Sequence, residues 1–308
     1  MRTPFITTFL LLLLGAGLFT GCDAAKSYKL AQDAFSNGAT KETLDRMQAA
    51  AKPLPSNFAN LKDMYHTSGS PLDTARSATS YYQEALGGIQ KALKGGPQLE
   101  KLAALDNAKA LEALIYWRLD NAPTAKEKAI AALPDLEANT GEENDIRDRA
   151  MMLALPGLIN MDKAYQALKV CQATARTLSA TMSQEEKNAV FQQVKGIYTK
   201  SITDTADGAP SVARGMTLIT DALASTEDKG AVTVYLHCAR LAGLDTWGDM
   251  LQEVFTVSRR AEIAAEEANW VNAERNTFEA KRIDYLSQLE ALLGSKNDKL
   301  YQYWKELL

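Results

Sequence analysis

An all-α fold is predicted by three observations. Alanine, leucine, glutamate, lysine and glutamine recur along all 308 residues. Runs of Val, Ile and Thr long enough for strands are missing. Apolar residues return at spacings of three and four, broken at intervals by Gly, Pro and capping residues. The expected architecture is an α-solenoid of antiparallel helix pairs, with an irregular multi-helix bundle as the alternative.

In chain order, Tyr28, Leu30, Ala31, Ala34 and Phe35 mark a first helix, expected to end at Asn37-Gly38. Leu44, Met47, Ala50 and Ala51 define a second, stopped by Pro53 and Pro55, and a third runs from Asn57 to His66. Leu72–Lys94 follows, with Tyr81, Tyr82, Ala85, Leu86, Ile89 and Leu93. Gly95-Gly96-Pro97 breaks it, and Pro97 suits the first turn of a new helix. Leu99–Leu119 keeps an apolar face throughout.

Capping-box spacing at Thr124–Glu127, Thr140–Glu143 and Ser183–Glu186 places three further helix starts, the first helix ending near Pro134. Pro156 should kink or divide the apolar Met151–Ile159 helix. Val190–Ile202 pairs with Val212–Leu223, and Val232–Leu241 with Trp247–Val257 around Gly243-Leu244-Asp245. A long charged helix carries Val271, Phe278, Tyr285 and Leu292 seven apart. Arg275 and Arg282 spoil a coiled-coil seam, so it should cap its neighbours. Lys296–Leu308 forms a short last helix.

The N-terminal stretch has its own logic. One charge, Arg2, precedes an uncharged run to Cys22 whose apolar part, Phe9–Phe19, is too short to span ~30 Å of hydrocarbon. Its length and small final residues suit a secretory signal. Leu18-Phe19-Thr20-Gly21-Cys22 resembles the lipobox of bacterial lipoproteins, with Phe19 where leucine is commonest. The resemblance implies a signal peptide over 1–21 and a diacylglyceryl, N-acylated Cys22 as first residue of the mature chain. Two or more acyl chains anchor stably without a spanning helix; the competing reading is an uncleaved signal-anchor. Asp23 resembles the inner-membrane retention signal of enteric lipoproteins, although which membrane is reached stays open.

Residues 22–308 carry 33 basic and 38 acidic side chains, a formal charge of −5. That mild acidity argues against an electrostatic nucleic-acid binder, and equally against adhesion to anionic lipid through a polybasic patch. The length suggests two lobes, near 22–180 and 181–308, or a repeat array. Cys171 and Cys238 could pair in an oxidising compartment or remain buried thiols.

Leu111–Leu136 resembles the tetratricopeptide repeat. Tyr116 fits the central aromatic, Leu119 the leucine before the turn, and Ala125 and Ala132 the small positions, with Leu133 beside the second. Asp120 stands where glycine is preferred, Ala129 replaces a large residue and Pro134 comes early. A second partial match, Leu30–Pro55, has Leu30, Ala31, Gly38, Met47, Ala50 and Pro55 in register but lacks the aromatic.

Catalytic signatures are sparse. His66 and His237 are the only histidines, no zinc-ligand spacing exists, and nucleophile-elbow, phosphate-loop and dinucleotide motifs are missing. No cofactor or metal is expected, and carboxylate pairs such as Glu142-Glu143 and Glu185-Glu186 suit helix first turns. Aromatics are the more suggestive group. Tyr81, Tyr82, Trp117, Trp247 and Trp270 are the candidate partner or ligand surface, with Tyr116, Tyr198 and Tyr235 beside them. Trp117 and Trp270 are expected to look outward while Tyr116 and Val271 point inward. The functional expectation is a lipid-anchored, non-enzymatic scaffold facing the periplasm, with a protein partner in the envelope and no nucleic acid. The alternative is a ligand-binding accessory subunit of a periplasmic transporter, taking a small molecule. A cell-wall-active enzyme comes last, and would need two carboxylates in a deep cleft.

Overall fold

The computed structural model describes residues 5–49, 64–65, 71–138, 143–226 and 230–308, with side chains along the first stretch from 23 to 45. The fold is all-α, with no strand among these residues. No helix among them is long and apolar enough to cross a membrane. They divide into two compact units, one up to Met152 and one from Leu153 onward. The boundary thus falls inside a helix, not near 180, because the helix continues to pack after its start has served the first unit. The third helix expected from Asn57 and the Thr140 cap lie largely outside the described residues.

In the first unit, α1 (Phe5–Ala49) packs extensively along α2 (Ala78–Lys94). The two run antiparallel on a seam of small residues. A Cβ added at Gly38 would lie 2.6 Å from Tyr82 Cε1; one at Gly88, 3.2 Å from Ala31 Cβ; one at Gly95, 2.7 Å from Ala24 Cβ. Residues 24, 31 and 38 recur every seven, two turns of one face. Asn37-Gly38 therefore does not end a helix: α1 continues through it, and the glycine makes room for the Tyr82 ring.

Ser77 caps α2, its Oγ accepting from Ser80 N at 3.1 Å, so the helix starts later than Leu72. Gly95 ends it, and Pro97 sits in the first turn of α3 (Gly96–Lys101), as its fixed φ favours. The expected Leu99–Leu119 helix is broken at Ala103, whose φ of +48° leaves Leu102 56% exposed. α4 (Leu105–Arg118) is buried over most of its circumference, Leu105, Lys109 and Tyr116 lying on its one half-buried stripe.

A turn through Asp120 leads to α5 (Ala122–Ala138), whose cap is Asn121 and not Thr124. Pro134 does not end α5. The carbonyl it leaves unbonded, four residues back, is that of Ile130, a residue 69% exposed on the solvent side of the helix. α6 (Glu143–Arg176) likewise passes Pro156 undivided.

The second unit continues from α6 with α7 (Gln184–Tyr198), a π-helical segment (Thr199–Thr203), α8 (Val212–Ala224), α9 (Ala231–Arg260), α10 (Ala265–Leu293) and α11 (Lys299–Leu307). The Ser183–Glu186 capping box is complete. α6 and α8 meet backbone to backbone: a Cβ at Gly157 would be 2.6 Å from Gly215 O. Gly243 does not open a turn. Met161 Sδ would lie 2.5 Å from a Cβ there, and α9 runs unbroken past it. On α10, Val271, Phe278, Tyr285 and Leu289 face the core. Cys171 and Cys238 are free, buried thiols, so the pairing considered from sequence is not made.

Gly157→Ala should destabilise the protein by about 1–3 kcal/mol, because a backbone carbonyl has no room to retreat. Gly87→Ala, on an exposed helix position with nothing within 4 Å, should stabilise by roughly 0.5–1 kcal/mol. Urea unfolding of both variants checks the contrast.

Candidate functional site

Four of the five aromatics expected to form a surface are in the interior. Tyr81 is 3% exposed, Tyr82 2%, Trp117 7% and Trp247 2%. Tyr81 uses its hydroxyl on the turn before α2, accepting from Asp73 N at 2.7 Å. Tyr82 fills the α1–α2 seam and donates to Glu42 Oε2 at 2.8 Å, and Glu42 also takes the Arg118 guanidinium. Trp117 does not look outward: it lies on the covered side of α4, and the half-buried stripe of that helix runs through Leu105, Lys109 and Tyr116 instead. Tyr116 is instead half-buried, its hydroxyl 3.3 Å from Gln90 Nε2.

The fifth, Trp270, is half-buried at the edge of the second unit. It stands edge-on to Tyr198 at 5.8 Å between centroids, under the Lys195 ammonium at 4.5 Å. Behind it, Trp247 Nε1 donates to the Tyr198 hydroxyl at 2.6 Å, and that hydroxyl donates to Glu274 Oε2 at 2.9 Å. Burial first, and then the Glu274 charge, hold the phenol far above its ordinary pKa, so it stays protonated. Trp247 also lies 6.4 Å from the Phe278 ring. It is a back wall.

What it supports is a groove of about 380 Å³ between α9 and α10. Leu251 and Phe278 form its floor, and a side chain at Gly248 would press on Phe278 Cζ at 3.1 Å. Its rim is polar: Gln252 on α9, and Asn272, Arg275, Asn276 and Glu279 on α10. Asn272 and Asn276 are exposed, one helical turn apart. Arg275 rests over Phe255 at 4.7 Å and has no carboxylate partner among the described residues. Glu279 is already engaged by Arg282. Sequence reading passed over these residues as a charged helix face. Only the pairing with α9 shows that they rim a groove.

Another hollow in the first unit, about 280 Å³ beside Glu100, Asp106, Lys109 and Asp135, has its lysine spent on Asp135 at 2.5 Å. Deeper in that unit Asp145 and Asp148 share the Asn107 amide, at 3.0 and 2.9 Å. Tyr65 and the Arg147 guanidinium complete the shell of Asp148. Asp148 is fully buried, so this carboxylate pair is packed in the interior and not held in a cleft.

Nucleophile chemistry fares no better. Burial pushes the Cys171 and Cys238 thiols up to about 12. His237 is pushed down to about 4 by burial and by Arg240, whose Nη2 is 2.7 Å from His237 Nδ1. That ring nitrogen must be the acceptor, which fixes the neutral tautomer. His66 lies outside the described residues. No cluster of metal-ligating side chains occurs among the described residues.

Tyr198→Phe should cost about 1–3 kcal/mol, since the Trp247 N–H loses its buried partner; urea unfolding reads it. His237 gives a pH signature. The unfolded ring takes up a proton below about 6.5 while the folded one resists to about 4. Stability therefore drops as pH falls through that window, by about 1–2 kcal/mol once the partial exposure of the ring is allowed for. His237→Gln should flatten the slope.

Among known proteins, no family model, no curated sequence and no solved structure matches this chain.

Proposed function

We propose that this chain is a lipid-anchored, non-enzymatic interaction protein of the bacterial envelope. It is attached at Cys22, faces the periplasm, and grips an extended acidic segment of a partner protein in the α9–α10 groove. The observation that carries the anchoring is the run ending Leu18-Phe19-Thr20-Gly21-Cys22, two residues before Ala24, a buried residue of α1. Asp23 favours the inner membrane. The groove supports a polypeptide ligand because its rim combines exposed amides, which match a peptide backbone, with an arginine that is stacked on an aromatic ring and has no carboxylate partner among the described residues, the rim's Glu279 being paired with Arg282. A polar rim of this kind favours a peptide over an apolar small molecule, and so the scaffold reading over the transporter subunit.

Within the all-α body we read α4–α5 as a degenerate tetratricopeptide-like pair. Asp120, in the glycine position, takes a φ of +60°, the conformation for which glycine is preferred. Ala125 and Ala132 are fully buried where the helices close on one another. The other match, Leu30–Pro55, is withdrawn: it needs a turn at Gly38, where α1 is continuous.

Mass spectrometry of the membrane-extracted protein should show a triacylated chain beginning at Cys22, and Cys22→Ser should abolish the modification. An unmodified chain that keeps residues 1–21 would overturn the anchoring. Affinity capture from mildly solubilised membranes should recover a protein partner. Arg275→Glu should weaken that complex roughly 30-fold, in the range of an interface hot spot; unchanged capture would exclude the groove.

A further inference from the structure

Between Cys22 and the first packed residue of the first unit there is no spacer. α1 is helical through Cys22, and Ala24, two residues on, is 4% exposed against Gly95. Asp23 in between is pinned by Lys91, its Oδ2 3.3 Å from the ammonium. At 1.5 Å per residue the α-carbons of Ala24 and Lys26 lie only about 3 and 6 Å along the axis from that of Cys22.

The end of the unit so placed is formed by the first turn of α1 after Cys22 and the last turn of α2. Lys26, Lys91 and Lys94 are all exposed there, with Asp23 beside Lys91, and α3, which packs on α1, adds exposed Glu100 and Lys101, so that basic groups still outnumber acidic ones. This local excess of positive charge contrasts with a chain of formal charge −4.

Resting on the reading of Cys22 as lipidated, we propose that the first unit lies directly on the bilayer and presents Lys26, Lys91 and Lys94 to anionic phospholipid headgroups. A glyceryl thioether on Cys22 sits at headgroup depth. A continuous helix then holds these ammonium groups within about a Debye length of the phosphates, whatever the tilt of α1. Gly95 matters because it lets Ala24 pack at once, leaving no slack for a tether. The lysines are too few to bind a membrane by themselves. Joined to the acyl chains they orient the unit.

The test uses the full lipidated protein in nanodiscs of phosphatidylethanolamine and phosphatidylglycerol. A second version carries a Gly/Ser spacer of about a dozen residues between Cys22 and Asp23, long and flexible enough to release the unit. Lysine acetylation is followed by peptide mass spectrometry. Lys26, Lys91 and Lys94 should react about fivefold more slowly without the spacer, the factor expected for a lysine held at an anionic surface. Lys41, about 28 Å along α1 from Cys22, should react equally in both. Equal rates at all four lysines, with the acyl groups present by mass, would overturn the apposition and leave the anchoring intact. A protein without acyl groups would overturn both.

Discussion

Close approach of helices through residues that lack a side chain is the constraint on which both units depend. Three contacts a heptad apart hold α1 to α2, and the carbonyls of Gly157 and Gly215 lie in the space a methyl group would need. Dispersion falls steeply with separation, so helices held this near gain contacts along their whole facing surfaces. The polar bonds follow from that spacing. Tyr82 can donate to Glu42 because Gly38 admits its ring, and Asn160 reaches Ala209 O at 3.0 Å across the contact between α6 and the α8 region. A bulkier residue at any of these points would move the donors as well as the core.

The same constraint decides what could be read in the sequence. Helical character, the Ser183 capping box, the place of Pro97 and the seven-residue stripe of α10 are local properties, written in residues close in sequence. Gly38 and Gly243 are different. As isolated glycines they read as breaks, yet each is a contact with a residue tens of positions away, Tyr82 or Met161. Trp117 went astray for a related reason. The half-buried stripe of α4 carries Tyr116, and which side of so apolar a helix stays uncovered is decided by its neighbours in space. The groove was illegible because its floor and rim come from two helices, and no spacing within either one predicts the pairing.

Buried polar groups add specificity to this packing. Asp148 is satisfied by Tyr65, Asn107 and Arg147, which draws the segment at Met64–Tyr65, α4 and α6 into one register. In the second unit Arg240 makes no ion pair among the described residues, the charge of Asp284 reaching it only at a distance. Thr220, His237 and Gln288 receive it instead, and it lies 4.3 Å from the Tyr285 ring centre. Desolvation pulls its pKa below the ordinary arginine value, the cost of keeping a cation among neutral acceptors. Such an arrangement holds α8, α9 and α10 in one alignment, because any shift would strand a buried guanidinium. The Trp247–Tyr198–Glu274 chain does the same for α7, α9 and α10, directly behind the groove.

On the proposed anchoring, mechanics supplies a reason for the seam as well. A load applied at Cys22 acts along α1, parallel to α2, so the contacts of Ala24, Ala31 and Gly38 are sheared together and not peeled one after another. Contacts strained together share the load, while contacts peeled in turn fail at the strength of each. The antiparallel pairing places the loaded end of α1 against the last turn of α2, where Gly95 closes on Ala24 and Lys91 holds Asp23. Gly95, the C-cap of α2, thus serves where the chain would meet its anchor, since only small residues let the two helices lock at that end.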